Sequence, residues 1–519
     1  MSLSRDVDLY VHDIVAANAR NVPDRPALVC GEREYTWKEL WEGVQALARG
    51  LAAQGVVRGS CVAALDRNSD ALVLLYHAVG SLGASLYPIS VLLRANEVAA
   101  LLSNARPALL VAGPGYEDLA EAAAALATPP PRLVYRAQAR QGGLHWDDIS
   151  DGPQMADPPA PRSWDDTHLL LHTSGTTGLP KSVAISHRRS VVDGLAAATS
   201  IGARSSDRYY SNTPLFHTGA WDWIKVFFMQ RACVVLAERF DAARMIEEAV
   251  RHRCTVLPFF PVTLRALIDH EKFRTADFSA VRLIGYGGMD PSNVLQTALG
   301  AFAERGAKDV GVVLPYGMTE AGPFISIAQP HESVAHPLSV GGAVPGVEIC
   351  LLDDDMVEVG EGEVGEVCLR TPCLMTEYLD NPEATAEAFR GDWLHTGDLA
   401  RKTAAGIFQI VDRKKDMIRT GGENVFAKEV EEVLSRHPSV KECAVVGTPH
   451  PEFGETVVAV VVPEHSYADG EELRAFVRER IAGFKTPKKI VFLDAMPRTP
   501  LGKVAKKELK ILVENPSEL

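Results

Sequence analysis

A segment rich in glycine and hydroxyl groups, placed after an apolar run, carries the clearest chemical signal in this sequence. The segment is Leu169-Leu-Leu-His-Thr-Ser-Gly-Thr-Thr-Gly-Leu-Pro-Lys181, in which Thr173, Ser174, Gly175, Thr176, Thr177 and Gly178 precede Lys181. Glycines let a backbone approach phosphate oxygens, hydroxyls and amides donate hydrogen bonds, and a lysine adds a point charge. The segment therefore predicts a loop that binds a phosphate chain.

This segment does not match the Walker A pattern, because Pro180 stands before the lysine where that pattern needs glycine. An ordinary P-loop nucleotidase is therefore disfavoured. Taken alone, the segment is equally compatible with a plain surface turn, since serine, threonine and glycine are common in turns. Motifs elsewhere in the chain must decide between these two interpretations.

Three further places offer groups suited to catalysis or binding. Apolar runs end in the turn at Gly287-Gly288 and at Tyr316-Gly-Met-Thr-Glu320, and two such strand ends indicate one crevice at the carboxyl edge of a sheet. Glu320 beside Thr319 could hold Mg²⁺ against phosphate oxygens, or it could be a solvated loop residue. His217 could line a pocket or serve as a buried structural group.

Length and composition limit the class of protein. A chain of 519 residues exceeds one hydrophobic core, so two or more domains are expected. The net charge of −14 argues against nucleic acid as a partner. The eight cysteines contain no Cys-x-x-Cys pair, which favours reduced thiols, and no signal peptide or membrane-spanning run is found. We therefore expect a cytoplasmic protein.

The elements around these groups follow an alternating pattern. Thr36 is a candidate cap for a helix that runs through Leu51, and the strand-like Cys61–Leu65 follows it. Helical periodicity returns over Asp70–Leu82 and Ala95–Ser103, before a buried-strand run at Ala108–Ala112. This alternation predicts an α/β fold with helices packed on a largely parallel sheet.

Three more motifs follow at wide intervals: His395-Thr-Gly-Asp398, Asp412 to Asn424, and Pro500-Leu-Gly-Lys503. Together with Thr173–Lys181 and Tyr316–Glu320, they resemble the ordered core motifs of the AMP-forming adenylate-forming enzymes. That superfamily includes acyl- and aryl-CoA ligases, peptide-synthetase adenylation domains and luciferase-like proteins, and the chain is most similar to the acyl-CoA synthetase branch. The resemblance covers nearly the whole chain, and five motifs in order are far more specific than any one of them.

The resemblance implies an α/β fold, with a large multi-subdomain N-terminal domain of layered α/β sheets at residues 1–412. It also implies a small mobile α+β C-terminal lid at residues 413–519, with a hinge near Lys415. The apolar patterns of the tail agree independently with a small α+β unit, because helical stripes flank the β-branched run Thr456–Val462.

The resemblance also implies a role for each motif residue. It implies that Thr173–Lys181 bind the β- and γ-phosphates, that Thr319 binds the α-phosphate and that Glu320 binds Mg²⁺. Lys503 is implied to catalyse adenylation, and His217 is a further catalytic candidate. The other nucleotide-binding candidates are Gly287, Gly288, Tyr316 and Gly317, with Asp398 at the ribose and Arg413 on the ribose and phosphate side. Gly421, Gly422 and Glu423 are implied to meet the thiol substrate.

The implied activity is an ATP- and Mg²⁺-dependent acid–thiol ligase, which forms acyl-AMP and pyrophosphate and then transfers the acyl group to CoA. Alternatives are an adenylating enzyme that loads a carrier protein in trans, a luciferase-like oxygenase, and a catalytically silent homologue. Retention of the charged motif residues argues against the silent homologue. A homodimer stays open, and neither nucleic acid nor a membrane span is expected.

Substrate choice is left open by the sequence. The acyl-pocket candidates are His217, Ala220, Trp221, Trp223 and Met318. Their aromatic density favours a sizeable apolar or ring-bearing acid, whereas the alternative is that both tryptophans only pack against the following helix. Ser182 stands where the family usually has glycine, and Ala427 stands where it usually has proline, which affects loop geometry and removes no catalytic group.

Overall fold

The apolar periodicities of the chain form helices and strands with defined bounds in the computed structural model. The structure describes residues 8–150, 163–173, 180–288, 294–328, 332, 339–464, 469–498 and 504–514. The helices of these ranges are α1 (Val11–Asn21), α2 (Trp37–Ala53), α3 (Asp70–Ser81), α4 (Ala95–Ala105), α5 (Glu117–Leu126), α6 (Asp147–Ser150), α7 (His187–Ile201), α8 (Thr218–Met229), α9 (Ala242–Arg251), α10 (Pro261–Asp269), α11 (Val294–Glu304), α12 (Pro382–Ala388), α13 (Ala427–Ser435), α14 (Gly470–Arg478) and α15 (Lys506–Glu514). Short 3₁₀ turns occupy Glu271–Thr275, Lys414–Asp416 and Gly483–Lys485.

The strands lie between these helices and continue to the end of the described chain. They are β1 (Pro26–Cys30), β2 (Arg33–Thr36), β3 (Cys61–Leu65), β4 (Ser85–Pro88), β5 (Leu109–Ala112), β6 (Arg132–Tyr135), β7 (Leu144–His145), β8 (Thr167–Thr173), β9 (Lys181–Ser186), β10 (Arg208–Ser211), β11 (Cys233–Leu236), β12 (Val256–Phe259), β13 (Leu283–Tyr286), β14 (Gly311–Met318), β15 (Gly322–Ala328), β16 (Ser339–Ala343), β17 (Glu348–Leu352), β18 (Val364–Arg370), β19 (Glu377–Tyr378), β20 (Phe389–Arg390), β21 (Trp393–Lys402), β22 (Phe408–Arg413), β23 (Ile418–Thr420), β24 (Glu423–Val425), β25 (Val440–His450), β26 (Gly454–Pro463) and β27 (Lys489–Phe492).

Helix α2 shows how a local signal sets an element boundary. The Thr36 hydroxyl accepts a hydrogen bond from the Glu39 amide at 3.2 Å, and the Glu39 carboxylate accepts one from the Thr36 amide at 2.8 Å. This reciprocal pair satisfies two amide groups that the first helical turn leaves without partners. The predicted cap at Thr36 is therefore confirmed.

The described strands assemble into three sheets. The largest follows the order β17-β18-β21-β22-β16-β15-β14-β13-β12-β10-β11-β1-β2, with β20 paired to β21. A second sheet has the order β19-β9-β8-β4-β3-β5-β6-β7, and a third, smaller sheet has the order β24-β23-β26-β25, with β27 paired to β26. The predicted α/β class, with a large N-terminal part and a smaller C-terminal unit, is confirmed.

The C-terminal unit has apolar clusters of its own on both faces of the third sheet. One cluster joins α13 and α14 to the sheet through Val430, Leu434, Leu473 and Val477, all of which are fully buried. The other joins α15 through Leu509. Strand β22 ends at Arg413 in the largest sheet and the third sheet starts at Ile418, while the domain boundary at residue 412 stays a prediction.

Two expectations about local structure need correction or qualification. Trp221 and Trp223 do not precede the helix that carries Phe227 and Phe228, because α8 begins at Thr218 and contains all four residues. The second sheet is parallel from β8 through β6 but pairs β8 with β9 antiparallel. None of the helices in the described ranges is long and apolar enough to cross a membrane.

Candidate active site

Two parallel strands of the largest sheet end beside each other at the predicted crevice. Strand β13 pairs with β14 in parallel, so their carboxyl ends lie at one edge of the sheet. Gly287 and Gly288 follow β13, and Thr319 and Glu320 follow β14. The structure thus brings together the two motifs that the sequence assigned to one crevice.

A tyrosine, an aspartate and an arginine from three strands meet at this edge. The Tyr316 hydroxyl donates to Asp398 Oδ2 at 2.7 Å, although the two residues lie 82 positions apart. Arg413 Nε lies 2.5 Å from Asp398 Oδ1, because β21 and β22 pair Asp398 directly with Arg413. Asp398 is 4% exposed, so both of its oxygens are held by donors away from water.

The same cluster keeps the tyrosine protonated. Burial, and then the neighbouring Asp398 carboxylate, raise the pKa of Tyr316 well above its ordinary value. The hydroxyl therefore remains a hydrogen-bond donor at physiological pH. Each carboxylate oxygen has more than one acceptor direction, so Asp398 can still accept further hydrogen bonds from a bound molecule.

Glu320 is a buried carboxylate with one side-chain partner among the described contacts. It is 7% exposed, and its Oε1 accepts a hydrogen bond from the Tyr378 hydroxyl at 2.8 Å. The Lys181 ammonium group lies 4.8 Å from the centre of the Tyr378 ring. The Glu320 carboxylate, the Tyr378 phenol and the Lys181 ammonium group thus lie in a row in space, beside the predicted phosphate loop.

Tyr378 reaches this position through the second sheet. Strand β19 pairs with β9 and places Tyr378 opposite Val183, two residues after Lys181. Burial and the Glu320 charge raise the pKa of Tyr378 far above its usual range, so it also stays a donor. Sequence reasoning missed Tyr378, because it lies 58 positions from Glu320 and belongs to no motif that the sequence analysis singled out.

The predicted phosphate loop joins the two strands of a hairpin. Thr173 at the end of β8 pairs with Lys181 at the start of β9. Ser174, Gly175, Thr176, Thr177 and Gly178 lie outside the described residues. The structure therefore fixes where the loop begins and ends, between β8 and β9.

Ser182, which replaces the usual glycine after the loop lysine, has a defined role in this structure. Its hydroxyl lies 2.7 Å from the buried Tyr87 hydroxyl and donates to Asn104 Oδ1 at 2.8 Å. Tyr87 is fully buried, so Ser182 supplies a partner that a glycine could not. This departure from the family pattern is compensated locally.

One of the predicted glycines is required by a close backbone contact. A Cβ atom on Gly317 would lie 2.2 Å from the Gly322 carbonyl oxygen, because β14 and β15 approach tightly there. A Cβ atom on Gly287 would lie 3.0 Å from the ring of Phe260, which is half-exposed and has room to shift. Gly288 adopts φ +88°, a conformation that favours glycine.

His217 precedes helix α8 and lies in a row of rings. The ring centroids of His217 and Phe216 are 5.2 Å apart, and Phe216 stacks on His172 at 6.4 Å. His172 lies next to Thr173 at the start of the predicted phosphate loop. The structure therefore connects His217 with that loop through two intermediate rings.

The two tryptophans of the predicted acyl pocket occupy different surroundings. Trp221 is 1% exposed, stacks on Tyr76 with centroids 4.3 Å apart, and donates its indole N–H to the Leu215 carbonyl. The Trp223 ring contacts strand β13 of the largest sheet, because a Cβ atom on Gly285 would lie 2.8 Å from it. Ala220 is fully buried and Met318 is half-buried, and a pocket role for these four residues stays a prediction.

The lid candidates lie on the third sheet and in the segment before it. Lys415 is exposed in the 3₁₀ turn Lys414–Asp416. Gly421 and Gly422 form the turn between β23 and β24, with φ +60° and +85°, and Glu423 follows. Lys503 lies outside the described residues.

One contact joins the C-terminal unit to the largest sheet close to the predicted hinge. The Lys428 amide, at the start of α13, donates to Asp412 Oδ2 at 3.2 Å. A carboxylate at a helix N-terminus is stabilised by the free amides there. Asp412 therefore attaches α13 to the last strand of the largest sheet.

Comparison with known proteins identifies the family of this chain. A family model described as "AMP-binding enzyme" matches residues 15–379, and one described as "AMP-binding enzyme C-terminal domain" matches residues 429–503. A feruloyl-CoA synthase of Amycolatopsis sp is 35% identical over 496 residues, which cover 95% of this chain and 96% of that protein. An indoleacetate–CoA ligase of Aromatoleum aromaticum is 32% identical over 503 residues, which cover 95% of this chain and 96% of that protein.

A solved structure is similar over the full length. The crystal structure of an anthranilate CoA ligase in complex with anthranoyl-AMP superposes with a TM-score of 0.88 at 26% identity, covering 99% of both chains. The similarity therefore extends through both the large sheets and the C-terminal unit.

Proposed function

Because this chain belongs to the AMP-binding enzyme family, we propose that it joins a carboxylic acid to the thiol of CoA through an acyl-adenylate. The observation that supports this most directly is the convergence of Tyr316, Asp398 and Arg413 at the strand edge that also holds Glu320. The buried Asp398 carboxylate is held by two donors and can accept hydrogen bonds from ribose hydroxyls, and Arg413 beside it can donate to the neighbouring phosphate.

In the proposed complex each group meets one part of ATP. Asp398 accepts hydrogen bonds from the ribose hydroxyls, and the half-exposed Arg413 donates toward the ribose and α-phosphate side. The adenine lies against Gly287, Gly288 and Tyr316. Thr319 meets the α-phosphate, while the loop that ends at Lys181 holds the β- and γ-phosphates.

Glu320 fits the requirement of a magnesium site. Mg²⁺ prefers oxygen ligands and is usually held by one or two carboxylates together with substrate phosphates. Glu320 is buried, is oriented by Tyr378, and lies near Lys181, which follows the phosphate loop. Glu320 would hold the ion, which when bound neutralises charge on the phosphates.

The first half-reaction joins two anions and needs positive charge. An oxygen of the ionised acid bonds to the α-phosphorus, and the bond from that phosphorus to the pyrophosphate oxygen breaks. No general base is required, because a carboxylic acid is already ionised at neutral pH. Lys181 and Lys503 stabilise the charge that moves onto the leaving group, and binding supplies the alignment.

The second half-reaction uses the same site. The CoA sulfur bonds to the acyl carbon, the bond from that carbon to the AMP oxygen breaks, and the thiol proton is released. Rotation of the C-terminal unit about Lys415 would withdraw Lys503 and bring the Gly421-Gly422-Glu423 turn to the acyl group. The exposed 3₁₀ turn at Lys415 supports this proposal, because its side chain is not packed in a core.

We propose that the acid carries an apolar ring. Two relatives are named for ring-bearing acids, ferulate and indoleacetate. Trp223 packs directly on the β13 backbone at Gly285, two residues before the Gly287 turn, so in the proposed pocket it would offer a ring face to the acid. Fatty acids, and a carrier protein as the thiol acceptor, are the alternatives.

The decisive experiment is acid-dependent ATP–pyrophosphate exchange over a panel of hydroxycinnamates, indoleacetate and fatty acids of increasing length. Each acid is then incubated with ATP, with and without CoA, and the thioester is measured by mass. Exchange and thioester formation with ring-bearing acids is the expected result. Exchange without thioester would favour a carrier protein, preference for long chains would refute the ring assignment, and no exchange with any acid would refute the activity.

A further inference from the structure

A buried carboxylate that belongs to none of the predicted motifs lies behind the nucleotide site. Glu366 on β18 is 4% exposed, and several hydrogen-bond donors and positive charges surround its carboxylate. Oε1 contacts the backbone of β21 at Gly397, and Oε2 contacts His395 on the same strand and Lys414 in the 3₁₀ turn after β22. A carboxylate removed from water in this way is stable only when such partners compensate it.

The first oxygen of Glu366 supports an irregular backbone next to Asp398. Strand β18 advances two residues from Glu366 to Cys368, whereas the paired strand β21 advances four, from Leu399 to His395. The surplus residues form a bulge that includes Gly397, whose φ is +72°. Glu366 Oε1 accepts a hydrogen bond from the Gly397 amide at 3.1 Å. Bulges of this kind redirect the following side chain, which here is Asp398.

The second oxygen of Glu366 contacts the segment that follows Arg413. Lys414 Nζ lies 3.1 Å from Glu366 Oε2 and 2.7 Å from the exposed carboxylate of Asp354. His395 Nδ1 lies 3.2 Å from the same oxygen. Burial alone would raise the pKa of Glu366, but hydrogen bonds from Lys414 and His395 outweigh it and leave that pKa below its usual value.

The same place resembles a metal site, but its charges argue against one. Among the described residues, ligand atoms of Glu366, Cys368 and His395 lie within 4.8 Å of one another. Lys414 already contacts Glu366, and the Arg390 guanidinium lies 3.1 Å from His395 Nδ1. A dication between these atoms would meet two cations at short range, which is unfavourable in a buried position.

We infer that Glu366 is a positioning residue of the nucleotide site, which orients Asp398 through the Gly397 amide and Arg413 through the Lys414 ammonium group. The inference rests on the proposed nucleotide-binding role of Asp398 and Arg413. In this inference the buried Glu366 carboxylate holds Asp398 on β21 and Arg413 on β22 in fixed positions relative to each other. Glu366 itself touches neither the nucleotide nor the acid.

The test compares Glu366→Gln with Asp354→Asn, and the intact chain is used throughout. Glutamine keeps the size and one acceptor but not the charge that holds Lys414. The KM for ATP should rise about tenfold while kcat stays near the parental value. The reason is that a variant which loses the same binding energy in the substrate complex and in the transition state changes KM alone. Asp354→Asn removes the other partner of Lys414 and should leave the KM for ATP unchanged.

Lys414→Met separates the two arms of the contact. It leaves the buried Glu366 carboxylate without its lysine, so it should also lower the free energy of unfolding, and each variant is assayed under conditions in which circular dichroism shows it fully folded. Under those conditions the KM for ATP should rise in Lys414→Met as well. Equilibrium binding of AMP, measured by calorimetry, should weaken in parallel in both variants. The KM values for the acid and for CoA should not change.

Several results would overturn the inference. An unchanged affinity for AMP in folded Glu366→Gln and Lys414→Met would do so, as would an equal rise in the KM values of all three substrates. A stoichiometric transition metal in the purified protein would replace it with a metal site. If the parental protein binds AMP but activates no acid, the proposed activity fails, while AMP binding by the variants still decides the role of Glu366.

Discussion

Tyr378→Phe tests how the second sheet prepares the predicted magnesium ligand. The change removes one hydroxyl, which donates to the buried Glu320 carboxylate at 2.8 Å, and keeps the ring that faces Lys181. A hydrogen bond to a charged group contributes about 1.5–3 kcal/mol to stability. Because Glu320 is 7% exposed, little water can replace the lost donor, so we expect a loss of stability in this range.

The effect on activity follows from the orientation of Glu320. Removal of a residue that orients a metal ligand typically costs about 10- to 100-fold in metal affinity or activity. At fixed ATP, we therefore expect the magnesium dependence of acyl-adenylate formation to shift by about 10- to 100-fold in Tyr378→Phe. Tyr378→Leu also removes the ring beside Lys181 and should raise the KM for ATP in addition.

Tyr35→Phe is a matched control. Its hydroxyl donates to the Asp70 carboxylate at 2.7 Å, in a contact that also includes Arg33. This variant should lose a comparable amount of stability and keep the parental magnesium dependence. If Tyr378→Phe and Tyr35→Phe show the same magnesium curve as the parental enzyme, Tyr378 does not orient a metal ligand and the reasoning fails.

Three other predictions concern the lid, the loop and pH. Lys503→Ala should lower acyl-adenylate formation about 10²–10³-fold and leave thioester formation from supplied acyl-adenylate unchanged. Lys415→Pro should leave acyl-adenylate formation unchanged and lower thioester formation. Equal losses in both steps would contradict a rotating lid. Ser182→Gly leaves the buried Tyr87 hydroxyl short of a partner and should cost about 1–3 kcal/mol in denaturant unfolding, with Tyr87→Phe added to Ser182→Gly recovering part of it. Burial lowers the pKa of His172 to about 4, so the folded state binds this proton more weakly than the unfolded state, in which the pKa is near 6.5. The resulting stability is complete above pH 6.5 and is lost as pH falls toward 4, at up to about 1.4 kcal/mol per pH unit. Burial lowers the pKa of His12, His77, His168 and His187 as well, so His172→Gln should remove one histidine's share of the fall in unfolding free energy between about pH 7 and 5 and leave the rest.

Local sequence was sufficient for several elements of the fold. The strand Cys61–Leu65 and the capped helix that starts at Trp37 were predictable from short patterns. Those patterns work because a helix or a buried strand is specified by residues within one or two turns or pleats of each other. Helix α8 was placed too late, since its start lacks a side-chain cap at His217.

The partners of the site residues were not predictable in the same way. Glu320 and Tyr378 are 58 positions apart, and Glu366 and Lys414 are 48 positions apart. Neither pair has a spacing that a helix or hairpin would impose. Their contacts depend on how strands from different parts of the chain pair in the sheets.

The sequence by itself determined the family, the order of the motifs and the chemical groups available at the strand ends, because these depend on residue identity and local spacing. The tertiary structure decided which of those groups meet. Sheet pairing set Asp398 opposite Arg413, carried Tyr316 to the same carboxylate, and placed Tyr378 on Glu320. Such long-range contacts arise only after the chain has folded, since the entropy of closing long loops is overcome by burial of the whole core rather than by any single local signal.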